Sequence, residues 1–548
     1  MTRQLNLDDI QGNVTRSYGR FSFPCARYFF LHIDDTASGR QFLDELRAKV
    51  TTAARWTPES KPKVTLNVGF TFTGLHKLGL PTRTLKDMPD EFVDGMKARA
   101  FVLGDNDTTK VSSEDDHWCK HWDPIWQTNR LAHDPRENVH LWVSMNSQVK
   151  PGTDQPVDDL EKQTEWLRKL CSKYKNQVRI LATNGQNGDQ EYQAATALFE
   201  TLPNGDKIPT PKEHFGFTDG IGDPVFEGQH TDEVTAQAVV GRGKWMGADT
   251  GWQPLATGEF ILGHPDESQE LPPTAMPPGY MHNGTFMVYR KLHENVSSFN
   301  DVIDQEAKSF ASVMGVSQDE AEVTLQAKMI GRWPDGVPLS KVPTYKEWQS
   351  FRQQKGFDDP DPLKSAKAYN NYLKSTEATD FRYGDDMMGY KCPASSHLRR
   401  VNTRDYLDPL NQPTGDNPNA TTQLNKRRRI LRRGLPYGSS ELGVGNDTSE
   451  QGVIFMVLCA NIFRQFEFVQ QQWIQYGLDF NVGNNTCPLL GNHDHHKRHV
   501  IPSDPATGKP PYVMSKLKTF VETRGGDYFF IPSVTALRMM AMGIVDPT

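Results

Sequence analysis

Three short segments hold the residue types that redox and acid–base chemistry need: GFTDGIGDP at 216–224, CPASSHLRRVNTRD at 392–405 and KRRRILRRGLPYG at 426–438. In the first, Gly216, Gly220 and Gly222 permit backbone conformations closed to other residues, and Pro224 stiffens the exit. Such a turn can present the Asp219 carboxylate into a cavity, although GxxDG alone is more often an Asx-type turn. In the second, His397 follows Ala394, Ser395 and Ser396 and precedes Arg399, Arg400 and Arg404. Haem iron is commonly held by one imidazole, and arginine pairs bidentately with carboxylates, so this setting suits an anionic macrocycle. By spacing alone, a surface histidine in a basic loop is the commoner case. In the third, Arg432 and Arg433 precede a Gly-Leu-Pro-Tyr turn. Ile430, Leu431, Leu435 and Pro436 suggest that the run is half buried rather than a solvated face or a nucleic-acid patch. A permanently charged guanidinium there can stabilise negative charge on a breaking O–O bond.

Other histidines read more plainly. NHDHHKRH at 492–499 is a compositional hint of metal binding and no more. DDHWCKHW at 115–122 has no second pair of ligands. His214, beside the GxxDG turn, reads as structural.

The elements that must position these groups alternate in a definite order. ARYFFLHI at 26–33 reads as a strand, and the helix after it shares Phe42, Leu43, Leu46, Val50 and Ala54 on one face. Val64, Leu66, Val68, Phe70 and Phe72 alternate as a half-buried strand does. VHLWVSM at 139–145, an amphipathic helix starting at Asp159 and QVRILAT at 177–183 complete a β-α-β-β-α-β unit, the split order of ferredoxin-like folds. The second half repeats it loosely, with a strand at 285–292, a helix after it, a strand at 452–461, a helix at 463–475 and a closing strand and helix. The chain therefore reads as two α+β domains, 1–225 and 226–548. Residues 100–127 and 332–390 are polar, without sustained periodicity, and read as surface insertions.

Composition limits the function. Hydrophobic residues at 36% and charged residues at 24% describe a globular chain, and a net charge of −7 weighs against a nucleic-acid partner. No stretch approaches the roughly 20 apolar residues of a membrane span. The six cysteines form no CxxC pair, and MTRQLNLDD lacks the apolar run of a secretory signal. A cytoplasmic location is the expectation.

Taken in order, a GxxDG aspartate, a CPxxxHxRRxNxRD histidine and an RRGxPYG arginine resemble the dye-decolorising peroxidase family, closest to its longer-chain members. LDDIQGNV near the start, NVGFTFTGL at 67–75, GEFILGHPDE at 258–267, GRWPDGVPL at 331–339 and RGGDYFFIPSVTALR near the end agree with it. The resemblance implies two ferredoxin-like domains of the dimeric α+β barrel type, with one haem b in the second. It implies that His397 is the proximal iron ligand, that Asp219 and Arg432 face the peroxide, and that Arg404 contacts a propionate. Hydrogen peroxide and aromatic donors would be the substrates, with room left for a homo-oligomer. A haem-binding protein with little turnover is the alternative; it would not need Asp219 or Arg432. Two positions depart from the family pattern. Gly434 lacks the side-chain donor that some relatives carry there, and Cys487-Pro488-Leu489 stands where many have Asp-Pro-Leu. Glu467 and Asp479 are candidates for the acid that orients His397, and Tyr437 for a relay of electrons to bulky donors at the surface.

Overall fold

The computed structural model describes residues 5–105, 119, 121–127, 137–183, 190–272, 277–412, 417–443, 445–493, 497–515 and 517–545. Four strands build the first unit: β1 (Cys25–Ile33), β2 (Val64–Phe70), β3 (Leu141–Ser147) and β4 (Val178–Ile180). β3 pairs antiparallel with both β1 and β2, and β1 pairs with β4, giving the order β2-β3-β1-β4. That is the ferredoxin-like arrangement expected from the alternating pattern. Every residue of β3 is buried, and so is every residue of β2 except Val64.

Helices α1 (Thr36–Arg47) and α2 (Asp158–Lys173) belong to this unit. α1 begins where the Asp35 carboxylate accepts the Ser38 N–H. It stops at Arg47, short of the periodicity that runs to Ala54. From Thr51 the backbone turns to pair elsewhere: the Thr51 N–H donates to Leu66 O and the Gly12 N–H to Thr51 O.

The second unit repeats the topology with β5 (Thr285–Glu294), β6 (Leu431–Arg433), β7 (Gly452–Cys459) and β8 (Val521–Ile531), ordered β6-β7-β5-β8. β6 is the strand that the arginine run concealed. β8 meets β2 where Phe530 pairs with Phe70, so the described strands of both units lie in one ten-stranded sheet. Its buried side chains join one core, in which Phe286, Tyr289, Phe529 and Trp142 take part.

Between β5 and β6 run α3 (Val296–Met314), α4 (Gln318–Ile330), α5 (Tyr345–Lys355), α6 (Pro362–Lys374) and the short α7 (His397–Val401). The reading of 332–390 as a surface insertion is corrected here. α5 starts with a capping box between Thr344 and Glu347. Trp333, Trp348, Phe357 and Tyr372 then close a second core that also takes in Cys392 and Cys487. The stretch shows no sustained period because α5 buries only Trp348. Half of residues 100–127 lie outside the described residues; of the rest, Ala100, Leu103, Cys119, Trp122, Ile125 and Trp126 are buried in the main core, so the reading as a surface insertion is corrected there too. Residues 463–474 form wide helical turns with i→i+5 bonding, a form often found at functional sites. The closing helix α8 (Val534–Met542) packs on α1 of the first unit. Among the described residues, no helix is long and apolar enough to cross a membrane.

Candidate active site

The GxxDG segment folds as a turn with Gly216, Gly220 and Gly222 all at positive φ. The Asp219 N–H donates to Pro211 O at 2.8 Å, which fixes the direction of the carboxylate. Facing it, β6 carries Arg432, whose own N–H donates to the Asp223 carboxylate at 3.2 Å. Arg432 Nη1 donates to Asp219 Oδ1 at 2.6 Å. Arg20 reaches the same turn and donates to the Asp219 carbonyl. Gly434, at φ +110, follows immediately. A Cβ there would lie 1.8 Å from Ile454 O, so the β6–β7 pairing excludes the side-chain donor absent at this position.

Asp219, Arg432 and His397 line one cavity of about 1010 Å³. His397 enters it as the first residue of α7. Ile330, Leu398, Val453, Phe455 and Leu489 supply apolar walls, and the wide turns contribute Phe466, Val469 and Ile474.

The electrostatics assign different states to the three groups. The Asp219 and Arg432 side chains are 44% and 35% exposed, but the space they face is this cavity. Burial alone would raise the Asp219 pKa; the charges of Arg432 and then Arg20 outweigh it and hold it at about 2. The Asp219 charge in turn raises the Arg432 pKa against the cost of burial. Burial, helped by the Arg432 charge, lowers the His397 pKa to about 4, so its imidazole is neutral at pH 7. Nδ1 of His397 lies 3.4 Å from Cys487 Sγ, which leaves Nε2 as the nitrogen available to a metal.

The acids proposed to orient His397 sit elsewhere, and both assignments are corrected. Glu467 accepts from Arg99 at 3.0 and 2.5 Å and from the Tyr528 hydroxyl at 2.8 Å. Asp479 accepts from the Trp473 indole at 3.0 Å. Tyr437 is also not at the surface. It is 1% exposed, beneath Lys291, and its hydroxyl has no hydrogen-bond partner among the described residues. His214 is structural as expected, its Nε2 2.9 Å from Tyr437 O. His493 and His499 are tied to Thr486 and Ser395, and among the described residues no group of three metal-binding side chains forms. His117 lies outside the described residues.

Arg404 sits behind the cavity wall, its Nη1 donating to Phe381 O at 2.7 Å and its Nε without a partner among the described residues. Arg332 and Arg429, which no motif singled out, stand on the wall itself. Backbone carbonyls hold both through Nη1. Among the described residues, no carboxylate forms an ion pair with any of these three arginines. Burial, then their mutual repulsion, lowers the Arg404 pKa to about 9, and burial lowers that of Arg429 to about 10. Buried positive charge left uncompensated is costly. A ligand that brings its own carboxylates fits this corner, and one with iron beside it fits the free imidazole nitrogen.

Glu213 and Glu294 were also missed. They line the cavity, and Glu213 accepts the Phe215 and Phe217 N–H groups at 2.8 Å each. Burial raises both pKa values, that of Glu294 furthest.

Residues 9–179 match the DyP dimeric alpha+beta barrel domain model. "Peroxidase 2" of Mycetinis scorodonius is 25% identical over 97% of this chain and 87% of its own. A "Dye-decolorizing peroxidase" of Exidia glandulosa is 26% identical over 97% and 86%. Along nearly its whole length the chain is similar to dye-decolorising peroxidases. A solved family structure, a dye-decolorizing peroxidase in complex with 2,6-dimethoxyphenol, superposes with a TM-score of 0.68 at 21% identity, over 98% of this chain and 100% of that one. The family fold accounts for the paired ferredoxin-like units, and family members are haem enzymes, which agrees with the arginine-rich corner and the free His397 nitrogen.

Proposed function

We propose that this chain is a peroxidase that reduces hydrogen peroxide and oxidises bulky dyes and phenolic donors in one-electron steps. The observation that carries the proposal is the Asp219–Arg432 pair on the wall of the cavity that His397 enters. One haem b per chain, when bound, supplies the redox chemistry. His397 would hold its iron through Nε2, and Arg332, Arg429 and Arg404 would neutralise its propionates.

Asp219, an anion from about pH 2 upward, can take the proton from one oxygen of hydrogen peroxide. It then returns that proton to the oxygen that leaves as water. Arg432 keeps its charge throughout and stabilises the negative charge that develops as the O–O bond breaks. The apolar residues on the cavity wall lower the screening of both charges relative to open solvent. The phenol bound in the solved relative supports a phenolic donor. All six cysteines are buried and no disulfide joins any two of them, which supports a reducing, cytoplasmic setting.

The test is the absorption spectrum of the haem-loaded protein before and after one equivalent of peroxide. The proposal expects an immediate shift of the Soret band, reversed by a phenolic donor. A bound haem indifferent to peroxide would instead indicate a haem carrier.

A further inference from the structure

His397 and Cys487, 90 residues apart in sequence, come together in a built contact. Cys487 is fully buried, and its N–H donates to Ile474 O at 2.8 Å. The Leu490 N–H donates to its sulfur at 3.4 Å. Arg400 clamps the two sides: Nε donates to Ala394 O at 3.1 Å, Nη1 to Trp473 O at 2.8 Å and Nη2 to Asn485 O at 2.6 Å. The loop before His397 is thereby fixed to the segment that carries Cys487. Among the described residues, the Cys487 sulfur is the hydrogen-bond partner of the His397 ring, and the acids nearest in expectation, Glu467 and Asp479, are committed to other groups.

We propose that Cys487 is the positioning residue for the axial imidazole, and that its sulfur leaves His397 a weaker electron donor to iron than a carboxylate would. This rests on the reading of His397 as the haem ligand. With Nε2 on the metal, Nδ1 carries the proton and donates it to the partner. A carboxylate accepts that hydrogen bond strongly and pushes electron density through the ring to the metal. Sulfur is a weak acceptor, so it orients the ring with little of that push. The iron is then easier to reduce.

The test compares haem-loaded wild type with Cys487→Asp and Cys487→Asn, reading the ferric/ferrous midpoint potential and the ferrous iron–histidine stretching frequency. Asp should lower the potential and raise the stretching frequency, and Asn should shift both the same way by less. Asn introduces no buried charge, so it decides the matter if the Asp variant does not fold. Haem-bound variants matching wild type in both readouts would overturn the role of Cys487 and leave the haem reading intact. A wild-type protein whose haem iron shows no histidine ligation would overturn both.

Discussion

Arg432 and Asp219 lie 213 residues apart and meet at 2.6 Å, one on a three-residue strand and the other on a glycine turn. The pairing holds Asp219 ionised and gives Arg432 a fixed direction into the cavity. Arg432→Leu and Asp219→Asn should therefore retain haem yet react with peroxide more slowly, by about 10²–10⁴-fold for an acid–base group. Stopped-flow measurement of the Soret change checks this. Wild-type rates in both variants would remove the pair from the mechanism.

The pair also sets the pH dependence. Asp219 is held at about 2, so the wild-type rate should show no loss from its protonation across the mildly acidic range. Arg432→Leu removes the largest attraction and leaves burial, which favours the neutral acid. Arg20 still opposes burial, so the acid limb of the residual rate should move upward from about 2. An acid limb at the same pH in both proteins would show that Asp219 is not the titrating base.

Glu213 and Glu294 make the opposite prediction for stability. Their pKa values in the folded protein are raised from the ordinary 4.5 by burial. The native state thus binds more protons than the unfolded state, and stability falls as pH rises above about 4.5. Glu294→Gln should flatten that fall. Thermal midpoints on the acid and alkaline sides of neutrality test it, and parallel curves for the two proteins would contradict it.

Tyr437→Phe should leave the turnover of bulky dyes unchanged, because the ring lies in the core and not at the surface. Removing a buried hydroxyl that has no partner should cost little stability. A dye-specific loss of turnover, with small phenols unaffected, would restore Tyr437 as a relay.

The parts that were legible in the sequence are those with local period. The alternation of Val64 to Phe70 marks a strand because one side chain in two must face the core. β6 escaped notice because three residues, two of them arginines, cannot display a period. α5 was obscured by its exposed face, although Thr344 and Glu347 carried the signature of its start. Within the site, glycine and proline punctuation marked the Asp219 and Arg432 turns. The contact of His397 with Cys487, and the wall positions of Arg332 and Arg429, depend on how α7 and the 473–490 segment dock, which spacing does not encode. Glu467 has the burial expected of an orienting acid but is paired with Arg99 and Tyr528.

Haem content and absorption spectrum in His397→Ala, beside His214→Ala, test whether His397 is the iron ligand. One Fe–N bond anchors the metal, so His397→Ala should lose most of its haem and the native axial signature. His214→Ala removes a contact to the Tyr437 carbonyl and should keep both. A His397→Ala protein with normal haem content and an unchanged spectrum would contradict the account.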